Sequence, residues 1–87
     1  MKKTVDNLVS YVISSQPRID MLHSLGSNGK MTANEISKNV QVSYTYGWKL
    51  LQGLKEHGIV DHNDVHRNRL YFLTNFGKRV LLAVDER

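Results

Sequence analysis

The 87-residue sequence has no cysteine, a single proline and no long apolar run. Without cysteine there is no disulfide framework, no thiolate zinc site and no cysteine nucleophile. No window approaches the apolar length of a membrane span. The start, Met1-Lys2-Lys3 followed by Thr4-Val5-Asp6-Asn7, lacks the unbroken apolar core of a signal peptide. These absences lead us to expect a soluble, cytoplasmic protein. Also missing are a glycine-rich phosphate loop, a nucleophile elbow and a carboxylate pair of usable spacing. The few acidic residues are scattered, so an enzyme is not expected and no cofactor is implied.

What is present fits one folded unit over residues 1–87. Hydrophobic residues make up 40% of the chain, enough for one modest core. The formal charge of +4 fits an anionic partner through a compact contact rather than charge-driven wrapping.

Val5, Leu8, Val9, Val12 and Ile13 recur at helical spacing and predict a helix over about 4–14. Ser14-Ser15-Gln16-Pro17 breaks the pattern, and Ser15 or Gln16 caps a second helix with proline in its first turn. Ile19, Leu22 and Leu25 share one face of that helix, and Gly26-Ser27-Asn28-Gly29 is read as the polar turn that ends it. Thr32 with Glu35 three residues later is a capping-box pattern, opening a short third helix over about 33–39. The fourth helix runs from Ser43, a good N-cap, to His57, with Gly58 suited to the left-handed closing position. Its buried face is Gly47, Leu50, Leu51 and Leu54. Its outer face carries Tyr44, Thr45, Trp48, Lys49, Gln52 and Lys55, with large aromatics that solvent alone rarely faces.

Beyond Gly58 the pattern becomes β-prone. Ile59-Val60 and Arg69 to Leu73 predict two strands, and the polar stretch from Asp61 to Asn68 predicts an open, mobile loop between them. Thr74 caps a last helix containing Val80, Leu81, Leu82, Ala83 and Val84.

A helix, a tight turn and a second helix make a helix-turn-helix, and the hairpin directly after it is a wing. Here the sequence resembles the winged helix-turn-helix superfamily in its compact ArsR/MarR-type form, over nearly the whole chain. The resemblance is carried by Met31-Thr32-Ala33-Asn34-Glu35-Ile36-Ser37, Val42-Ser43-Tyr44-Thr45-Tyr46, Leu51, Leu54, Lys55, Gly58-Ile59-Val60 and Tyr71-Phe72-Leu73-Thr74-Asn75-Phe76-Gly77. It implies an α+β winged helix that binds double-stranded DNA as a small transcriptional regulator, with repression favoured. It also implies that helix 43–57 enters the major groove and that wing 61–69 meets flanking backbone or the minor groove. The site residues so implied are Tyr44, Thr45, Trp48, Lys49 and Gln52 on the helix, and Arg67 and Arg69 on the wing. Gly47 departs from the family, which usually places an apolar side chain there. With Gly53 it predicts close backbone approach or local loosening.

Other features carry competing readings. Trp48 either faces DNA or packs under the wing, whereas Tyr46 is expected against the third helix. His62, His66, Asp61 and Asp64 lack the spacing of a metal site. His23, His57, Arg18, Lys2, Lys3, Lys30 and Lys38 are read as surface residues. The terminal helices either complete the core or form a two-fold dimer. The homodimer is favoured and predicts a pseudo-palindromic operator. The competing class is a winged-helix module that docks on protein instead of DNA.

Overall fold

Side-chain caps set the helix boundaries. The structure, a computed structural model, describes residues 4–87, and the surface reading of Lys2 and Lys3 lies outside them. Thr4 accepts from the Asn7 N–H and opens α1 (Val5–Ile13). Ser15 precedes α2 (Gln16–Asn28) without a side-chain bond, leaving Pro17 in the first turn. Thr32 and Glu35 form the reciprocal capping box of α3 (Ala33–Asn39), at 3.2 and 2.9 Å. The Thr32 backbone N–H, and then its hydroxyl, hold the Glu35 carboxyl below its usual range. Ser43 accepts from the Tyr46 N–H and opens α4 (Tyr44–Glu56). That helix closes at His57 and at Gly58 with φ +76°. Thr74 opens α5 (Asn75–Asp85) by accepting from Gly77 N–H at 2.9 Å.

Two expectations are corrected. Gly26 to Asn28 do not form the turn that ends α2. The helix continues through them and stops at Gly29, φ +82°. Gly26 instead leaves room for α5, because a Cβ there would lie 2.8 Å from Leu81 Cδ2. The stretch from Asp61 to Asn68 is not an open loop either. β1 (Val60–Val65) and β2 (Asn68–Leu73) pair antiparallel through all six positions and leave only His66 and Arg67 as the turn. His66 takes φ +57°, a left-handed conformation that histidine tolerates better than bulky or β-branched residues. Register explains why polar residues can form this strand. It sets Asp64 opposite Arg69 and His62 opposite Tyr71, so each polar side chain gains a cross-strand neighbour.

The core gathers every element. Leu8 and Val12 of α1 meet Val80 and Val84 of α5, and Ile36, Leu51, Leu54, Ile59 and Tyr71 join them in one apolar cluster. Met21, which the three-residue spacing of Ile19, Leu22 and Leu25 passes over, is fully buried as well. The terminal helices thus complete the core against each other, and their exposed large apolar side chains are Ile13 and Leu82. Where α5 begins, Gly77 is obligatory, since a Cβ would overlap the Ile59 carbonyl oxygen. The Thr74 hydroxyl also donates to the Gly58 carbonyl at 2.6 Å, locking α5 to the end of α4.

The wing is fixed at its root by a third piece of chain. Met31 exchanges two backbone hydrogen bonds with Tyr71, at 2.7 and 3.0 Å. This ties the wing to the start of α3. Helices α3 and α4 come close together at Ser37 and Gly47, where a Cβ on the glycine would overlap the Ser37 hydroxyl.

Candidate nucleic-acid interface

The exposed face of α4 divides along its length. Tyr44, Tyr46 and Trp48 are 55%, 46% and 42% exposed, and Thr45 and Lys49 are exposed as well. Tyr46 is therefore an exposed side chain and not part of the core. Position 46 turns outward because Gly47 and Leu50 take the buried face. Trp48 does not lie buried under the wing. It borders an open groove of about 320 Å³ together with Tyr44, Thr32, Asn34, Arg67 and Arg69. Four of the seven residues singled out from sequence are thus brought around one depression between α4 and the wing. Thr45 and Lys49 lie outside its lining, on the same exposed half of the helix.

Further along α4 the polar side chains turn to the wing. The Gln52 amide donates to the Tyr71 hydroxyl at 3.3 Å, and the side chain is half-buried. Lys55 Nζ lies 2.8 Å from His62 Nε2, and the His62 ring meets Tyr71 edge-on at 5.6 Å. A lysine ammonium can only donate, so this contact requires an unprotonated Nε2 on His62. Arg69 Nε donates to Asp64 at 3.2 Å. Asp64 first, and then the Tyr71 hydroxyl, raise the Arg69 guanidinium above its ordinary value. Arg67 sits in the turn itself, exposed, and no side-chain partner holds it among the described residues.

The far end of α4 rests on a stack of rings. His57 lies on Tyr11 with centroids 4.1 Å apart, and its Nδ1 is 2.8 Å from the Gly53 carbonyl. The Arg18 guanidinium covers the other part of the Tyr11 ring at 3.9 Å and donates to the Tyr11 carbonyl at 2.9 Å. Arg18 and His57 are therefore braces between α1, α2 and α4 rather than plain surface residues. His23 is tied as well, its Nε2 2.6 Å from Asp85 Oδ1 of α5. Spacing along one helix carries no sign of the Tyr11–His57, Tyr11–Arg18 and His23–Asp85 contacts, because each joins two elements. Among the described residues no three histidine, aspartate or glutamate side chains gather at metal-binding distance. None of their helices is long and apolar enough to cross a membrane.

A capped helix-turn-helix, α3 and α4, followed by a short hairpin, with α1 and α2 before it and α5 after it, is a winged helix-turn-helix fold. No protein-family model matches the chain, and no curated protein matches it. Solved structures do. A MarR family transcriptional regulator from Silicibacter pomeroyi superposes with TM-score 0.80 at 20% identity, covering 93% of this chain. This chain spans 58% of that regulator's length. The homodimeric winged helix-turn-helix DNA-binding domain of Mb0332 from Mycobacterium bovis gives TM-score 0.80 at 19% identity, over 94% of this chain and 76% of its own. TubR bound to 24 base pairs of tubC, from Bacillus thuringiensis serovar israelensis, gives TM-score 0.86 at 13% identity, over 99% and 97%. At these identities the likeness is one of fold.

Proposed function

We propose that the protein binds duplex DNA sequence-specifically as a small transcriptional regulator, with repression by promoter occupancy favoured. Residues 1–87 act as one DNA-binding domain in this reading. The observation that carries it is the exposed strip Tyr44, Thr45, Trp48 and Lys49, without side-chain partners among the described residues, beside Arg67 and Arg69 of the wing. Helix α4 enters the major groove, and Arg67 and Arg69 meet flanking phosphates or the minor groove. Gln52, half-buried with its amide donating to the Tyr71 hydroxyl, stands behind this strip and braces the wing in this reading. The fold shared with a TubR–DNA complex and with a homodimeric DNA-binding domain supports the reading.

The active unit in this proposal is a homodimer joined through α1 and α5. The exposed Leu82 and Ile13 of those helices supply apolar surface for it. Two copies of α4 then face half-sites about one helical turn apart on a pseudo-palindromic operator. Nothing in the proposal calls for a reaction, a cofactor or a membrane.

A mobility-shift titration against salt tests it. Affinity for a selected duplex should fall with a log–log slope of about −0.9 for each phosphate neutralised. Absence of a shift on every duplex at low salt would overturn DNA binding and leave the protein-docking alternative. Sedimentation at micromolar concentration tests the dimer, and a single 10.0 kDa species would refute it.

A further inference from the structure

Three side chains suited to hydrogen-bonded base readout, Gln52, Lys55 and Arg69, are already engaged by the fold. Gln52, the amide on the outer face of α4, is half-buried and donates to Tyr71 at 3.3 Å. Lys55 is set on His62 at 2.8 Å, and Arg69 on Asp64 at 3.2 Å. On α4 the side chains left open lie in the first two turns and are mostly rings and methyl groups. Tyr44 and Trp48 are separated by four residues, so they share a face and border the same groove beside the wing. Thr45, next to Tyr44 and exposed, is a methyl-bearing residue on the same half of the helix.

Recognition helices present their N-terminal residues to the base edges. The apolar group that a base pair offers in the major groove is the C5-methyl of thymine. Resting on the DNA-binding reading above, we infer that α4 selects A·T-rich operator half-sites through thymine 5-methyl groups, packed against Tyr44, Thr45 and Trp48. Gln52 belongs to the wing brace and does not set the base preference. Lys49 supplies the charge that holds this half of the helix on the phosphate backbone.

The comparison of thymine with uracil isolates the claim, because uracil keeps the Watson–Crick face and the O4 acceptor and lacks only the methyl. A duplex selected from a random pool is remade with dU in place of dT at each half-site position. Affinity of the unaltered protein should fall about fourfold for each methyl contacted, the equivalent of ~0.8 kcal/mol for burying one such carbon. The salt slope should stay the same, since the phosphates are unchanged. Trp48→Ala, or Tyr44→Ala as an independent variant at the more exposed position, should bind at least one dU-substituted duplex as well as its dT parent. Gln52→Ala should keep the full dT preference. Equal affinity of the unaltered protein for dT and dU duplexes, or selection of G·C-rich half-sites, would overturn the inference while leaving DNA binding intact. Failure to bind any duplex would overturn both.

Discussion

The two halves of α4 have opposite relations to the rest of the molecule. From Tyr44 to Lys49 the outer face is aromatic and cationic, and its side chains stand open. From Leu50 to Glu56 the inner face is leucine, fully or nearly fully buried, and the outer face is bonded to the wing through Gln52 and Lys55. One amphipathic repeat runs through both halves, so periodicity alone makes them look equivalent. The difference lies in what approaches from outside. The wing and α1 close directly on the C-terminal half, while the N-terminal half is separated from the wing by an open groove. A rigidly braced rear is what allows an exposed front to be held at a defined angle, because interactions that immobilise the helix need not come from the surface that meets a ligand.

This contrast is most directly broken by truncating one side chain from each half. Leu51→Ala should lower unfolding free energy by about 2–5 kcal/mol, the range for emptying a fully buried leucine site. Trp48→Ala should change it by no more than about 0.5 kcal/mol, as exposed positions away from caps and networks do. Urea titrations of the two variants compare them on one scale. A loss of several kcal/mol for Trp48→Ala would place the indole in the structural half and remove it from the open face.

A smaller effect is expected where α3 crosses the open half. A Cβ at Gly47 would overlap the buried Ser37 hydroxyl and lie 3.0 Å from Ser37 Cβ. Gly47→Ala should therefore cost about 1–3 kcal/mol through overpacking, in spite of alanine's better helix propensity. Ser37 Oγ is itself buried without a partner among the described residues. Ser37→Ala should then recover part of the loss when combined with Gly47→Ala, measured as non-additivity of the unfolding free energies. Full additivity would mean that the helices do not meet at this point.

These pairs mark what the sequence could and could not reveal. The capping residues Thr32, Ser43 and Thr74 were legible because a cap and its N–H partner lie three residues apart. The leucine face of α4 was legible for the same local reason. Gly47 was visible as an exception to a pattern, and the structure supplies Ser37 as its cause. The wing was misjudged because β-propensity reads Asp61, His62 and Asp64 as loop. Their pairing with Phe72, Tyr71 and Arg69 depends on register, which short-range composition does not encode. Gln52 and Lys55 looked free for the same reason, since Tyr71 and His62 lie 19 and 7 residues away. The grouping of Tyr44 and Trp48 with Arg67 and Arg69 became visible only once the hairpin folded back beside α4.

The finest test lies at the other glycine of α4. Gly53 is close to another helix too, but what approaches is the end of a side chain. A Cβ there would lie 2.6 Å from the Tyr11 hydroxyl and 4.0 Å from its Cζ. Backbone cannot yield at such a point, whereas a phenol tip can shift by a few tenths of an ångström. The obstruction is thus the hydroxyl oxygen alone. Tyr11→Phe removes that oxygen while leaving the ring to stack on His57 and beneath Arg18. In the Tyr11→Phe background, Gly53→Ala should stabilise the protein by about 0.5–1 kcal/mol, the helix-interior advantage of alanine over glycine. In the native background the same substitution should gain less or become destabilising, because the hydroxyl must move. A double-mutant cycle by urea unfolding reads the difference directly. If Gly53→Ala had the same effect in both backgrounds, the α1 contact would not constrain the rear of α4, and the division between a braced and an open half would rest on the wing alone.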